Sequence, residues 1–261
     1  MTVTQRLDYL IGILMNENDE YSGITVPESV EGKRRILRAL MNVRSPKPIA
    51  DEFIAVQDEE LQMQLKEKGT VDADELSYTG KFAIWQGDIT RLKADAIVNA
   101  ANSRMLGCFV PLHGCIDNAI HSAAGVQLRL ACNEIMVQKG HNEPTGEAVV
   151  TPAFNLPAKY VIHTVGPIVY GVKPTARDCL QLASCYRKCL EAAEQYHAES
   201  IAFCCISTGE FHFPNKDAAE IAVATVNSYF SSHPDSTVKK VIFNVFKDKD
   251  RQIYTELLGA H

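Results

Sequence analysis

The sequence lacks the features of a nucleic-acid-binding, membrane-spanning or secreted protein. Its 26 lysines and arginines are outnumbered by 32 aspartates and glutamates, which gives a net charge of −6. We therefore expect no nucleic acid as a partner. No apolar run is long enough to cross a bilayer, so we expect no membrane contact. The opening residues MTVTQRLDYL contain an aspartate and no cationic start, from which we expect no signal peptide and a cytoplasmic location.

Two nucleotide-binding signatures are also missing. The chain has neither the lysine-containing Walker loop nor the glycine fingerprint of a dinucleotide-binding unit. Most of its eight cysteines lie in apolar runs, which is typical of reduced thiols and not of a disulfide scaffold. What is present is a chain of 261 residues, 46% hydrophobic, which is enough for one large core and an appendage.

The predicted appendage is a helical N-terminal extension over residues 1–78. Apolar residues recur at helical spacing from Val3 to Leu14, and two further runs of this kind end before Pro46 and Gly69. We expect three helices and then an irregular acidic linker over residues 70–80. Two interpretations of the extension stay open: a cap packed on the main domain, or a lid or partner-docking face.

Residues 79–261 alternate between strand-like and helix-like segments and form the predicted main domain. Apolar runs such as ADAIVNAA and SIAFCCIST predict strands that are buried on both faces. Helices are predicted over residues 116–136, 176–197 and 216–230. This alternation predicts a three-layer α/β sandwich around a largely parallel sheet.

Residues 102–118, NSRMLGCFVPLHGCIDN, follow one predicted strand and combine two thiols with an imidazole. Cys108, His113 and Cys115 are of the ligand types that Zn²⁺ prefers. Three protein ligands leave a fourth position for water or substrate, as in catalytic zinc sites. From spacing alone, a pair of buried cysteines beside a surface histidine, with no metal, is the alternative.

Two further segments follow predicted strands and have polar groups suited to a ligand. In GDIT, Asp88 can accept hydrogen bonds from an exocyclic amine, or it simply caps a turn. In CISTGEFHFP, residues 205–214, backbone amides can hold a phosphate without a basic side chain, or the segment is an ordinary loop. His212 is a candidate neighbour of that site, whereas His121 and His163 are predicted to be hydrogen-bonded core histidines.

Taken in order, these segments resemble the macrodomain family. The resemblance runs from about Lys81 to the C-terminus through GDIT, DAIVNAAN, IDNAIHSAAG, TGEAVVTPAFNLPAKYVIHTVGP, CCISTGEFHFP and VIFNVF. Macrodomains bind ADP-ribose, and many hydrolyse it from proteins. The resemblance implies a three-layer α/β/α macrodomain with a mixed central sheet, and protein mono-ADP-ribosyl hydrolase activity.

One departure from the commoner macrodomain pattern narrows the resemblance. The segment GCFVPLHGCIDNAIH stands where a run of glycines before V-D-G-A-I-H is usual, and it resembles the zinc-containing branch found in bacteria and fungi. That branch has a helical N-terminal extension, and it is often encoded beside a sirtuin-type ADP-ribosyltransferase and a lipoylated glycine-cleavage-H-like carrier. The resemblance implies one Zn²⁺ on Cys108, His113 and Cys115, the modified carrier as a substrate protein, and the transferase as a functional partner.

The resemblance also implies roles for individual residues. Asp88 would hold the adenine amine beside the Ile89 amide, and Phe246 would pack on the adenine ring. Asn102 would hold the distal ribose, and Asp117 matches the aspartate of many catalytic macrodomains. The other implied substrate-binding residues are Cys115, Ile116 and Asn118 near the ribose, and Ser207, Thr208, Gly209, Glu210 and Phe211 around the pyrophosphate. Asn118 stands where those proteins usually have glycine, so the resemblance does not fix its role.

The expected reaction is zinc-dependent hydrolysis of the bond between the distal ribose and a protein side chain. Asn102 and Asp117 are the expected catalytic residues: Asp117 acts as a base or orients the water, and Asn102 fixes the ribose. Three alternatives stay open: zinc only shapes the loop, the domain reads ADP-ribose without cleaving it, or it is a phosphatase acting on ADP-ribose phosphate. We expect a monomer.

Overall fold

The computed structural model describes residues 1–259, and it begins with three helices. These are α1 (Val3–Met15), α2 (Val30–Val43) and α3 (Asp51–Lys68). Thr2 and Ser29 cap the first two, and Gly69, with φ of 74°, ends the third. Their apolar faces pack into a cluster of their own, which takes in one residue of the main domain, Val126. The prediction of three N-terminal helices is confirmed.

The segment that follows is not the irregular linker that the sequence predicted. Strand β1 (Val71–Asp72) pairs in parallel with β3 (Leu92–Lys93), and Ala73 is buried in the main core. The prediction was wrong because a strand of two residues is too short to show a period of alternation. The domain boundary at residue 78 stays a prediction.

The main domain is built on a six-stranded sheet, in the spatial order β2-β8-β7-β4-β6-β5. Its strands are β2 (Phe82–Gln86), β4 (Ala96–Ala101), β5 (Ala148–Pro152), β6 (Tyr160–Val165), β7 (Ser200–Phe203) and β8 (Lys240–Val245). Every neighbouring pair is parallel except β5 with β6, so the sheet is mixed. The strands are mostly buried, as expected of a sheet covered on both sides.

Five helices accompany this sheet. They are α4 (Ile116–Ala124), α5 (Val126–Lys139), α6 (Ala176–Gln195), α7 (Asn215–Ser232) and α8 (Asp248–Leu258). The helices α4 and α5 pack together and against β4 and β5, while α6, α7 and α8 form a second group. The three-layer α/β/α arrangement is confirmed. Within residues 1–259 no helix is long and apolar enough to span a membrane.

The single helix predicted over residues 116–136 is wrong, because the chain breaks at Gly125 into α4 and α5. Gly125 has φ of 95°, and a side chain there would come within 2.5 Å of Gln57 of α3. The Gln57 side chain accepts a hydrogen bond from the Val126 amide at 3.0 Å and so caps α5. The break thus depends on a residue of the N-terminal extension.

The order of the strands brings the candidate site segments to one edge of the sheet. Strands β4 and β7 are parallel neighbours, and β4 is followed in the chain by strands on its other side. Their carboxyl ends therefore meet at a point where the strand order reverses, which is where open α/β sheets usually bind ligands. Residues 102–118 follow β4, and residues 205–214 follow β7. We call these segments the donor loop and the amide loop.

Candidate active site

The donor loop curls through three left-handed backbone positions. Met105, Gly107 and Leu112 have φ of 64°, 80° and 56°. Gly107 is required at its position, because a Cβ there would lie 2.8 Å from the ring of His121. Leu112 is held in this unusual conformation by its amide, which donates to the Asn42 side chain of α2 at 3.0 Å.

The curl gathers the three predicted metal ligands. The ligand atoms of Cys108, His113 and Cys115 all lie within 4.8 Å of one another, and Cys108 Sγ lies 3.5 Å from His113 Nδ1. A tetrahedral zinc ion with sulfur at about 2.3 Å and nitrogen at about 2.0 Å sets those two atoms about 3.5 Å apart. The two thiols and the imidazole therefore fit zinc in both chemistry and spacing.

The surroundings of His113 Nε2, the ring nitrogen that does not face Cys108, also suit a metal-bound histidine. His113 Nε2 lies 3.6 Å from Glu210 Oε1, on the amide loop. Metal-bound histidines usually direct their other ring nitrogen to a carboxylate or carbonyl, which fixes the ring and its tautomer. Burial raises the pKa of the Cys115 thiol, and a bound divalent cation would favour the thiolate instead.

Asp117, at the start of α4, is a buried carboxylate held by two amides. Its side chain accepts from Asn99 Nδ2 at 2.8 Å and from Asn102 Nδ2 at 3.3 Å. Burial raises the pKa of Asp117 to about 6, and the hydrogen bonds from Asn99 and Asn102 act in the opposite direction. A carboxylate oriented in this way can accept a proton from a water molecule or fix its orientation.

A chain of polar side chains continues behind Asp117 into the core. Asn99 of β4 lies opposite His163 of β6, and Asn99 Nδ2 is 3.1 Å from His163 Nδ1. His163 Nε2 is 3.0 Å from Thr151 Oγ1, so both ring nitrogens have partners. Burial lowers the pKa of His163 to about 3, which keeps the ring neutral. His163 is thus the hydrogen-bonded core histidine that was predicted.

His121 is buried in the core, as predicted, but the prediction that it is hydrogen-bonded is wrong. Within residues 1–259 neither of its ring nitrogens makes a hydrogen bond, although Nε2 lies 3.5 Å from Asp117 Oδ1. Its ring nitrogens, Cys132 Sγ and His163 form a second group of metal-ligand types within 4.8 Å. We do not assign a metal to that group, because both nitrogens of His163 already have hydrogen-bond partners.

The amide loop is closed by its own backbone. The Phe213 amide donates to the Ser207 carbonyl at 2.9 Å, and the His212 amide donates to the Gly209 carbonyl at 3.1 Å. Among the described residues, the amides of Gly209, Glu210 and Phe211 donate to no acceptor. The buried Ser207, at φ of 65°, also has a hydroxyl with no partner among these residues. Three free amides on a tight loop can bind an anion without a basic side chain.

The GDIT segment forms a capped turn after β2. Asp88 Oδ1 accepts from the Thr90 amide at 3.1 Å and from its hydroxyl at 2.7 Å. The Ile89 side chain is buried in the core, so only its backbone can reach a ligand. Phe246, directly after β8, is 75% exposed. Asp88 therefore caps this turn through Oδ1, and its role toward a ligand stays a prediction.

A cavity of about 300 Å³ lies between the N-terminal extension and the main domain. Its walls include Asp88 and Thr90 of the GDIT turn, Leu112 of the donor loop and Arg38 of α2. The extension therefore shares a cavity with two segments of the predicted site.

Comparison with known proteins agrees with this architecture. A model of the Macro domain matches residues 98–222. A protein-ADP-ribose hydrolase of Treponema medium is 50% identical over 264 residues, which cover 99% of this chain and all of the relative. A protein of the same name from Staphylococcus aureus strain Mu50 is 49% identical and covers 97% of this chain and 95% of the relative.

This chain belongs to the macrodomain family. Among solved structures, a Trypanosoma brucei macrodomain in complex with ADP-ribose is 28% identical, with a TM-score of 0.65 over 85% of this chain and 95% of that one. A mutant of the Oceanobacillus iheyensis macrodomain with ADPR is 38% identical, with a TM-score of 0.62 over 68% of this chain and 91% of that one.

The structure of this macrodomain brings most of the predicted site residues together. The metal-ligand candidates, Asn102 and Asp117 share the donor loop and the start of α4, and His113 joins this group to Glu210 of the amide loop. Sequence reasoning missed Arg38, Asn42 and Arg129, which hold the donor loop from outside. Their charge and polarity gave no signal, since polar residues are common on helix faces.

Proposed function

We propose that this macrodomain hydrolyses mono-ADP-ribose from modified protein side chains and releases free ADP-ribose. The observation that carries the proposal is the buried Asp117 carboxylate, held by Asn99 and Asn102 directly after a loop with three metal-ligand side chains. A domain that only reads ADP-ribose has no need of such a group. The two relatives named protein-ADP-ribose hydrolases, which match nearly the whole chain, support this reaction.

In the proposed complex, each segment binds one part of the substrate. Asp88 and the Ile89 amide hold the adenine, with Phe246 against the ring. The amide loop from Ser207 to Phe211 holds the pyrophosphate through its free amides. The distal ribose lies against Asn102 and the residues from Cys115 to Asn118. These contacts supply binding and position for the reaction.

The chemical step breaks the bond between the ribose and the side chain and adds water at the ribose carbon. Asp117 accepts the proton of the attacking water or orients that water, while Asn102 fixes the ribose. Cys108, His113 and Cys115 would hold the zinc ion, which supplies a Lewis acid able to polarise a ribose hydroxyl or lower the pKa of a bound water toward about 7. The proton that Asp117 takes from the water is then given to the leaving side chain, so that the elements of water are divided between the ribose and the side chain.

The products of one incubation test this proposal. The protein is mixed with a mono-ADP-ribosylated carrier protein, and free ADP-ribose and inorganic phosphate are both measured. We expect ADP-ribose and unmodified carrier. Release of phosphate would instead indicate a phosphatase, and tight binding with neither product would indicate a reader.

We also infer that the substrate is a lipoylated glycine-cleavage-H-like carrier modified by a sirtuin-type ADP-ribosyltransferase. Only the family resemblance supports these two partners. The test compares hydrolysis rates on that carrier and on an unrelated protein with the same modified side chain. Equal kcat/KM on both would contradict a dedicated carrier.

A further inference from the structure

The donor loop does not hold its shape alone, because α2 of the N-terminal extension is bonded to it. Arg38 Nη2 donates to Asn118 Oδ1 at 2.7 Å and to the backbone carbonyl of His113 at 3.3 Å. One of these acceptors therefore belongs to a predicted metal ligand. The other lies one residue after Asp117.

Asn118 connects Arg38 to the rest of the donor loop through its own hydrogen bonds. It is fully buried, and its Nδ2 donates to the carbonyl of Val110 at 3.0 Å. Its backbone amide donates to the thiol sulfur of Cys115 at 3.4 Å. A glycine or alanine here would offer no polar side chain to Arg38 or to the Val110 carbonyl. Asn118 and the N-terminal Arg38 thus form one hydrogen-bonded unit.

Two further contacts tie α2 to the loop. Asn42 accepts from the amide of Leu112, which has the left-handed φ of 56°, and donates to Ser122 of α4 at 2.9 Å. Arg129 of α5 donates to the carbonyl of Leu106 at 2.6 Å and to that of Met41 at 2.9 Å. The loop is therefore connected to α2 at its beginning, in its middle and at its end.

We propose that α2 is a working part of the metal site: Arg38, through Asn118, and Asn42, through Leu112, hold the donor loop in the shape that gathers its three ligands. Both are positioning residues. The physical reason is entropic. Without these contacts, zinc binding itself would have to order a loop with three left-handed positions, and the lost conformational entropy would lower the affinity for zinc. This inference rests on the proposed zinc-dependent hydrolase.

An unpaired buried nitrogen of Arg38 also supports the proposal. Its guanidinium lies partly buried between α2 and the donor loop, and Arg38 Nε has no hydrogen-bond partner among residues 1–259. Leaving a buried donor unpaired costs free energy, which a simple apolar contact between helix and loop would avoid. An arginine that holds a loop carbonyl and an asparagine together accounts for that cost.

The test measures zinc binding directly, without substrate. Zinc affinity of the full chain is determined by competition with a chromophoric chelator for wild type, Arg38→Met, Arg38→Lys and Arg35→Met. Arg35 is an exposed arginine on the same helix, with no hydrogen bond among the described residues, and it is the matched control. We expect Arg38→Met to bind zinc about 10- to 100-fold more weakly. Arg35→Met should stay within about twofold of wild type.

Two further measurements separate this proposal from a merely structural role. Arg38→Lys keeps the charge, but its shorter side chain does not place a nitrogen where Arg38 Nη2 makes both bonds, so it should recover only part of the affinity. Asn118→Ala should weaken zinc binding at least as much as Arg38→Met, because it also removes the bond to the Val110 carbonyl. The double variant should lose little more than Asn118→Ala alone, because the two side chains act as one unit. Thermal unfolding of the metal-free proteins shows whether each variant folds.

The outcomes separate this inference from the proposed function. The positioning role is overturned if a folded Arg38→Met or Arg38→Lys protein binds zinc as tightly as wild type. It is also overturned if the wild-type protein binds no zinc. Each of these two results is compatible with observed hydrolysis. If Arg38→Met loses zinc but the wild type releases no ADP-ribose from the modified carrier, the positioning role stands and the proposed reaction fails.

Discussion

The donor loop and the amide loop lie at the ends of neighbouring strands, yet they are held in different ways. The donor loop is held by side chains of other elements: Arg38 and Asn42 from α2 and Arg129 from α5. The amide loop is closed mainly by its own backbone hydrogen bonds. From outside, the Val169 amide donates to the Phe211 carbonyl at 2.9 Å, Cys205 Sγ lies 3.7 Å from the Asn244 carbonyl, and His113 Nε2 lies 3.6 Å from Glu210 Oε1.

This difference matches what each loop is proposed to do. A pyrophosphate is bound by amides, which any sequence has, so the amide loop needs mainly a backbone shape. A metal ion is bound by side chains, whose positions depend on what surrounds them. The donor loop should therefore respond to substitutions far away in the sequence, whereas the amide loop should respond to local backbone changes. The following predictions test this comparison, from the largest expected effect to the smallest.

Asp117→Asn should have the largest effect on turnover. The substitution keeps the size of the side chain but removes the carboxylate, so we expect the rate at saturating substrate to fall about 10²- to 10⁴-fold. Zinc content, measured by elemental analysis, should stay at the wild-type value because Asp117 is not one of the three ligands. Asp235→Asn, on an exposed loop, is the control and should leave the rate unchanged. Near-normal turnover of Asp117→Asn would remove this residue from the chemical step.

His113→Ala separates the two roles of the metal. Loss of one of three ligands should abolish stable zinc binding. If the ion supplies transition-state stabilisation, we expect turnover at saturating substrate to fall about 100-fold, which corresponds to about 2.7 kcal/mol. His141→Ala, at an exposed position, is the control for zinc content and rate. A zinc-free His113→Ala protein with unchanged turnover would mean that the ion only shapes the loop.

The sequence predicted most of the sheet and of the site because those features repeat locally. Alternating apolar segments marked the strands, and the order of motifs marked the loops that follow them. Asn99 could also be noticed in the sequence, because it is the only amide side chain within the apolar run ADAIVNAA. The hydrogen bond from Asn99 to Asp117 could not be predicted, because it forms only when β4 and α4 lie side by side.

The features that were missed depend on contacts between distant residues. Gln57 caps α5 across 69 positions, and Arg38 reaches Asn118 across 80. Neither residue differs in type or spacing from ordinary polar residues on an amphipathic helix, so no local pattern reveals the contact. For the same reason the sequence left open whether the N-terminal extension is a cap or a lid. The bonds from α2 to the donor loop are the basis for the third role proposed above, that of a support for the candidate metal site.

A matched pair of glycine substitutions gives the smallest of these effects and compares the loops directly. Gly107 of the donor loop has φ of 80° and lies against the ring of His121, whereas Gly209 of the amide loop has open space at its Cβ position. We expect Gly107→Ala to lower the free energy of unfolding by about 1–3 kcal/mol. Gly209→Ala should change it by less than about 0.5 kcal/mol. Urea denaturation of the two metal-free variants measures both values. An equal loss in the two would mean that the amide loop is packed as tightly as the donor loop, and the contrast between a loop held by side chains and one held by its backbone would fail.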